Sequence, residues 1–235
     1  MPNPPSPAIP DPDDFAEQKQ LVEAALQIGS PENPPSVSTV CAEAGLHRAT
    51  FYVHFDTPAD LYPAFYDLVV DQYRLLTAAT EGYEDFTFEE RLASFYYILL
   101  DALAEQRGFV QTTFDTSVRT TSSFRANVRT ALRELLTDDR IPDPNRLVTG
   151  TWPVPAVLTE ITIGVIRHWI RDDRAEQAAT TALVDKLVAF LAELVVFRGV
   201  SRGLDLAWYV VQNDALGLRR LPLIGRLLPG PGSAD

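Results

Sequence analysis

The sequence has a single cysteine, Cys41, and only three histidines among its 235 residues. One cysteine cannot form an intramolecular disulfide, so we expect Cys41 to be a buried thiol that packs in a core, with a redox sensor as the alternative. Metal ligands are scarce as well, and His47 and His54 lie seven residues apart on a single segment. The sequence therefore predicts no metal site and no cofactor.

Long apolar runs are also missing. Nowhere do about 18 apolar residues follow one another, so no membrane-spanning segment is predicted. The first dozen residues are rich in proline and acid, without the basic start and apolar stretch of a signal peptide. From these absences we expect a cytoplasmic protein with no membrane partner.

Basic side chains are few: 20 Lys and Arg stand against 32 Asp and Glu, which gives a formal net charge of -12. DNA-binding surfaces neutralise phosphates with Lys and Arg, so this balance argues against nucleic-acid binding for the chain as a whole. The local surface decides the matter, however, because a large acidic domain can be joined to a small DNA-reading one.

Helical periodicity, by contrast, runs through most of the chain, and no convincing alternating strand pattern interrupts it. The sequence therefore predicts an all-α fold. Helix starts are marked by capping signals, such as Thr87 with Glu90 three residues later. A first helix is predicted from about Asp14 to Ile28, and the proline-rich stretch 138–155 predicts a long surface connection.

The most informative segment extends from Ser36 to Leu61. Ser36 can cap a short helix over 37–44, Gly45 suits a left-handed turn, and a third helix follows over about 47–55. Two short helices joined by a turn that contains glycine form a helix-turn-helix. In such a unit the second helix enters the major groove of DNA, and the first lies across the backbone.

The side chains of the third helix indicate how DNA would be contacted. Arg48, near the helix start, is placed to reach a guanine edge. Three polar residues then alternate with three apolar ones. We expect the polar residues to contact phosphates and the apolar residues to pack inward. The polar set is Thr50, Tyr52 and His54, and the apolar set is Phe51, Val53 and Phe55.

The run from Ala44 to Phe55 resembles the recognition region of the TetR family of transcriptional regulators. The shared pattern is Ala-Gly-Leu, a polar pair, Ala-Thr, an aromatic residue, Tyr, two further positions and Phe. The resemblance covers about the first quarter of the chain, and beyond it only helix number and length agree. It implies that Thr50, Tyr52 and His54 hold phosphates while His47 and Arg48 face the groove. The predicted DNA-contacting residues are Ser36, His47, Arg48, Thr50, Tyr52 and His54.

Several positions depart from the family pattern. Pro58 stands where the family usually has a lysine, Gly29 where it has an aromatic residue, and the first helix begins with acids rather than a basic arm. From Asp14 to Leu61 the two basic residues, Lys19 and Arg48, face seven acids, a local charge of 2 − 7 = −5. Non-specific DNA affinity and its salt dependence should therefore both be small.

Composition predicts the two tails, and the resemblance implies the two domains between them, which gives four segments. They are a disordered tail over 1–13, a helix-turn-helix DNA-binding domain over 14–56, a helical regulatory and dimerisation domain over 57–216, and a C-terminal tail over 217–235. Aromatic residues of the regulatory domain are candidates to line an effector pocket, although each can equally be ordinary core. The candidates are Tyr66, Tyr73, Phe95, Tyr96, Phe124, Trp152 and Trp169.

The last two long helices are predicted to pair with their symmetry mates as a four-helix bundle. In that bundle Gly164 either lets two backbones approach closely or is simply a tolerated helix glycine. The candidate dimer-interface residues are Ile161, Gly164, His168, Leu187, Phe190 and Leu194.

The function expected from this reading is a homodimeric repressor that leaves a double-stranded DNA operator when it binds a small apolar or aromatic effector. The alternative is a TetR-fold protein with weakened DNA binding that acts through protein contacts. The excess of acids in the helix-turn-helix segment favours this alternative. An enzyme is not expected. The stretch Gly199 to Gly203 matches the G-x-S-x-G pattern of a nucleophile elbow, but a predicted helix precedes it and no histidine follows His168.

Overall fold

The computed structural model describes residues 9–119, 121–137, 141 and 153–196, and within these ranges every helix or strand assigned is a helix, which confirms the predicted all-α fold. None of these helices combines the length and apolarity needed to cross a membrane. In chain order they are α1 (Pro12–Ile28), α2 (Val37–Ala44), α3 (Arg48–His54), α4 (Leu61–Ala79), α5 (Phe88–Ala104), α6 (Arg107–Ser117), α7 (Ser123–Leu136), α8 (Pro153–Ile170) and α9 (Ala178–Val196).

The helix ends lie where short polar side chains and glycine can satisfy the backbone. The Ser36 hydroxyl accepts the N–H of Thr39 at 3.2 Å and so caps α2. At α5, Thr87 donates its backbone N–H to Glu90 at 2.7 Å, and its hydroxyl accepts the N–H of Glu90 at 3.2 Å. Gly45 ends α2 with φ +69°, the left-handed conformation predicted for it.

The first helix begins two residues earlier than the sequence reading placed it. Asp11 accepts the backbone N–H groups of Asp13 and Asp14, and Pro12 occupies the first helical position. Residues 12 and 13 therefore belong to α1 and not to a disordered tail. The C-terminal tail predicted over 217–235 lies outside the described residues.

Helix α4 is the centre of the packing. Helix α1 lies against it on one side, and α5 and α7 lie against it on the other. Tyr66 of α4 is 1% exposed, and its ring is 5.8 Å from that of Phe124 on α7 and 5.9 Å from that of Phe114 on α6. Its hydroxyl lies 2.8 Å from that of Thr113. These contacts hold one continuous core together.

Arg107, at the start of α6, stabilises the end of α8. Its guanidinium donates to the backbone carbonyls of Trp169 at 3.3 Å and Asp172 at 3.0 Å, and it stacks 4.7 Å from the centre of the Trp169 ring. A cation is favourable at a helix C-terminus, where carbonyl groups lack intrahelical partners. The neighbouring Asp172 is buried and accepts the backbone N–H of Thr180 at 2.8 Å.

Gly29 is where α1 ends, and the space around it admits no side chain. A Cβ atom there would lie 2.5 Å from Cδ of Pro35 and 2.9 Å from the hydroxyl of Tyr62. Its backbone is extended, so the restriction is one of space and not of conformation. This close approach accounts for the glycine at position 29.

We therefore expect Gly29→Ala to lower the free energy of unfolding by about 1–3 kcal/mol, because the added methyl group must displace Pro35 or Tyr62. The matched control is Gly108→Ala on α6, where nothing lies within 4 Å of an added Cβ. That change should be neutral or stabilise by up to about 1 kcal/mol through helix propensity. Urea unfolding of both variants measures the effect, and equal stability of Gly29→Ala and the parent protein would contradict it.

Candidate nucleic-acid interface

Helices α1, α2 and α3 pack around a small apolar centre that fixes the orientation of α3. Phe51 of α3 is fully buried and Phe55, directly after the helix, is 8% exposed. They belong to one buried cluster with Val40 and Cys41 of α2 and Leu21 of α1. Burial raises the pKa of the Cys41 thiol, while the positive charge of Arg48 acts in the opposite direction. A buried thiol with a raised pKa fits the packing role expected for Cys41.

The opposite face of α3 is exposed and defines the candidate reading surface. It consists of Arg48, Ala49, Tyr52 and Val53, with Tyr52 55% and Val53 74% exposed. At about 100° per residue, these four positions lie on one side of a helix. The Tyr52 ring meets the buried Phe51 ring edge-on at 5.3 Å, which supports the tyrosine while its hydroxyl side stays accessible.

Two positions of α3 differ from the sequence prediction. Val53 was expected to pack inward, but it is one of the most exposed apolar residues of the described chain. His54 was expected to face phosphates, but its side chain is 5% exposed and its Nε2 lies 2.9 Å from Oε2 of Glu17 on α1. The prediction used the alternation of polar and apolar residues to decide which side chains of α3 face outward. A helix repeats every 3.6 residues, so alternation does not separate its faces.

The remaining predicted contacts lie around this surface. Ser36, at the start of α2, forms a hydroxyl cluster with Ser38 at 2.9 Å and Thr39 at 2.8 Å, and all three are exposed. His47 occupies the cap position of α3 and is exposed, whereas Thr50 is half-buried. Hydroxyls beside the free N–H groups of a helix start can bind a phosphate.

Lys19, the one lysine between Asp14 and Leu61, points away from this surface. Its Nζ atom lies 2.9 Å from Oε2 of Glu105, directly after α5, and 3.3 Å from Oε1 of Gln72 on α4. This cluster connects α1 to the regulatory helices. Arg48 is therefore the only Lys or Arg side chain that residues 14–61 contribute to the reading surface.

The aromatic residues predicted to line an effector pocket are packed in the core. Tyr66, Tyr73, Phe95, Tyr96, Phe124 and Trp169 are each at most 6% exposed. The hydroxyl of Tyr96 lies 3.2 Å from that of Thr162, and Trp169 donates its indole N–H to Gln177 at 3.2 Å. Trp152 lies outside the described residues. The structure thus shows core packing for these side chains, and their pocket role stays a prediction.

The predicted dimer-interface residues form two outward stripes. On α8, Val157, Ile161, Gly164 and His168 follow one another at spacings of four, three and four, and Val157 is 57% exposed. On α9 the same spacing gives Leu183, Leu187, Phe190 and Leu194, of which Phe190 is 59% exposed. Helix residues at these spacings share one face, so each helix presents a largely apolar stripe that the described part of the chain leaves exposed or only partly buried.

A small helix-turn-helix unit attached through a central helix to a larger helical body defines a helix-turn-helix regulator. The family model described as "Tetracyclin repressor-like, C-terminal domain" matches residues 91–209, about half of the chain. The chain therefore belongs to the TetR family of transcriptional regulators.

A solved structure has the same fold. It is the crystal structure of the TetR transcriptional regulator from Nitrosomonas europaea, with 18% sequence identity and a TM-score of 0.51. The similarity covers 77% of the present chain and 98% of the other. No curated protein matches the chain.

Ser36 has two separable properties, a cap on α2 and a hydroxyl beside the reading surface. We expect Ser36→Ala to lower the free energy of unfolding by about 1 kcal/mol through loss of the cap. Ser36→Asp should retain the stability of the parent protein, because Asp caps helices about as well as Ser. Chemical denaturation of both variants provides the measurement. The capping role would be refuted if Ser36→Ala were as stable as Ser36→Asp.

Proposed function

We propose that this regulator is a homodimer that binds a double-stranded DNA operator through α2 and α3 and represses transcription until a small apolar or aromatic effector releases it. The observation that carries the proposal is the exposed face of α3, with Arg48 and Tyr52 held outward by the buried Phe51 and Phe55. Because such a protein acts on the chromosome, we place it in the cytoplasm.

The chemistry of this face suits the major groove. Arg48 can donate two hydrogen bonds to the O6 and N7 atoms of guanine, and the exposed Val53 can contact the methyl group of thymine. The hydroxyls of Tyr52 and Ser36 suit hydrogen bonds to phosphate oxygens. Such bonds position the reading head (α1, α2 and α3) on DNA without reading its sequence. His54 is not part of the proposed contact set, since its side chain faces Glu17.

Dimerisation supplies the second reading head. The stripes of α8 and α9 are apolar and exposed, and pairing them with the same stripes of a second copy gives the four-helix arrangement predicted from the sequence. A two-fold axis then sets the two α3 helices against half-sites about one DNA turn apart.

Release by an effector requires the reading head and the regulatory helices (α4 to α9) to move together. The contact between α1 and α4, with the Lys19, Gln72 and Glu105 cluster at its edge, provides that connection. An effector shifts the separation of the two heads only if it prefers one arrangement of α4 over the other.

The rival function is a TetR-fold protein that acts through protein contacts, and the acidity of the head favours it. Seven acids against two basic residues from Asp14 to Leu61 repel phosphates, and Lys19 is paired with Glu105. The two functions differ in whether DNA binds to the α3 face, so a binding measurement separates them.

For the DNA test, we expect the full-length protein to bind duplex DNA flanking its own gene with a shallow salt dependence, because few basic side chains meet phosphates. Arg48→Ala should weaken specific binding by about 1–3 kcal/mol through loss of the guanine contact. Tyr52→Phe keeps the ring on Phe51 but removes the hydroxyl, and should cost about 1.5–3 kcal/mol if that hydroxyl meets a phosphate.

The control for both changes is Arg119→Ala. Arg119 is exposed and lies between α6 and α7, so its loss should leave DNA affinity unchanged. Fluorescence anisotropy with unlabelled competitor DNA measures all four proteins across a range of salt concentrations. A folded dimer that shows no binding even at low salt would refute the DNA function and favour the rival.

For the dimer, we expect Phe190→Ser to raise the dissociation constant about 30-fold or more, since a buried aromatic at an interface centre contributes about 2 kcal/mol or more. Gly164→Ala should also weaken the dimer by separating the two α8 helices, although the monomer has open space at this position. Thr181→Ala is the control, because Thr181 is exposed on α9 about 180° around the helix from Phe190. Sedimentation equilibrium gives the constants, and an unchanged dimer in Phe190→Ser would contradict the interface.

A further inference from the structure

Three side chains of the types that ligate metal ions lie close together where α1 crosses α3. Asp14 and Glu17 lie three residues apart on α1, so they share one face of that helix. His54 is the last residue of α3, and its Nε2 lies 2.9 Å from Oε2 of Glu17. One ligand atom from each of the three residues lies within 4.8 Å of the other two. The crossing thus gathers one imidazole and two carboxylates from two helices.

The electrostatics of this cluster are unbalanced. No Lys or Arg in the described part of the chain forms an ion pair with Asp14 or Glu17, and the nearby Lys19 pairs with Glu23 and Glu105 instead. Two carboxylates therefore face a single imidazole without a basic partner. A divalent cation would balance both charges at once, which a monovalent side chain does not do.

The three side chains differ in their exposure to solvent. The His54 side chain is 5% exposed, so its ring is held by its surroundings, whereas Asp14 is exposed. Metal–ligand bonds of about 2.0–2.2 Å require the three atoms to come closer together than 4.8 Å. Because Asp14 is exposed, we expect rotation of its side chain to provide that movement. Solvent can complete the coordination on the open side.

We propose that Asp14, Glu17 and His54 form a binding site for a divalent first-row transition-metal ion. Imidazole with carboxylate oxygens is a donor set that such ions accept. The ion joins α1 to the end of α3, and its bonds to Glu17 and His54 replace the direct contact between those two side chains.

The proposed site also affects the reading surface. His54 ends the helix that begins with Arg48, so an ion at the crossing fixes α3 against α1 and removes two negative charges from the acidic head. Both changes favour contact with phosphates. This consequence rests on the proposed DNA-binding function, whereas metal binding itself does not.

The test uses the full-length protein with Zn²⁺ and Co²⁺ as probes and no DNA. Equilibrium dialysis should show one saturable Zn²⁺ equivalent per chain, and Co²⁺ should give visible absorption that chelator removes. Asp14→Asn and His54→Gln should each weaken binding by at least the roughly 10-fold that even an outer-shell change costs. Asp14 is exposed, so its variant stays informative if His54→Gln fails to fold.

The matched control is Asp13→Asn, which changes the neighbouring exposed acid. This variant should bind Zn²⁺ as the parent protein does. The site is overturned if no saturable equivalent binds, if Asp14→Asn binds with parental affinity, or if Asp13→Asn loses binding.

A second measurement compares operator affinity with Zn²⁺ and with chelator. A Zn²⁺-dependent increase that Asp14→Asn abolishes is the expected result for the effect on DNA. If DNA never binds while Zn²⁺ binds as expected, the DNA function is refuted and the metal site stands. If Zn²⁺ fails to bind while the operator is still bound, the metal site is refuted and the DNA function stands.

Discussion

Helix α4 has to bury two faces, one against the reading head and one against the other regulatory helices. The positions of the reading head and of those helices depend on how α4 packs. Phe65, Val69 and Gln72 lie beside Lys19 and Val22 of α1. On the other face, Tyr66 packs into the aromatic group of α6 and α7, and Tyr73 meets Phe95 of α5 edge-on at 5.2 Å. A movement of α4 that relieved one face would disturb the other. This double burial therefore couples the head to the body without any additional device.

The proposed DNA function requires an acidic chain to concentrate its few favourable contacts. The head places Arg48, its one unpaired basic side chain within 14–61, at the start of α3, and surrounds it with hydroxyls and an exposed valine instead of further cations. Hydrogen bonds and apolar contacts to base edges discriminate sequence, whereas basic side chains that meet only phosphates bind every sequence alike. Under the proposed function, such a head gives up non-specific affinity and keeps the part of the interaction that recognises an operator.

The sequence was sufficient for several structural features that depend on neighbouring residues. Ser36, Gly45 and the pair Thr87 and Glu90 end or begin helices through contacts within four residues, and these assignments were confirmed. The direction of Val53 and His54 was wrong, because alternation was followed where helical geometry decides. A helical projection would have placed Val53 beside Arg48 and Ala49 from the sequence alone.

Other features depend on contacts between residues far apart in the chain. The glycine at position 29 is required by Pro35 and Tyr62, and only the folded chain brings Tyr62 there. The histidine of the proposed metal site lies 37 residues after Glu17, and the sequence showed only a shortage of ligands. The large aromatic residues were given as pocket candidates with ordinary core as the alternative, and those in the described part of the chain are buried. Their periodicity alone could not distinguish core from pocket, since both place them on the inner face.

The tyrosines of the core set a condition on how an effector could act. Burial raises the pKa of Tyr66 to about 12, with the hydrogen bond to Thr113 opposing the rise and the charge of Asp115 adding to it. Tyr66 is therefore neutral at physiological pH and forms a hydroxyl pair with Thr113 that joins α4 to α6. An apolar ligand that separated these helices would leave both buried hydroxyls without partners, at a cost of about 1–3 kcal/mol for each. An effector that enters at this point has to carry a hydrogen-bonding group of its own as well as an apolar surface. Since Tyr66 lies on α4, a ligand that satisfies this condition acts directly on the helix against which the reading head packs.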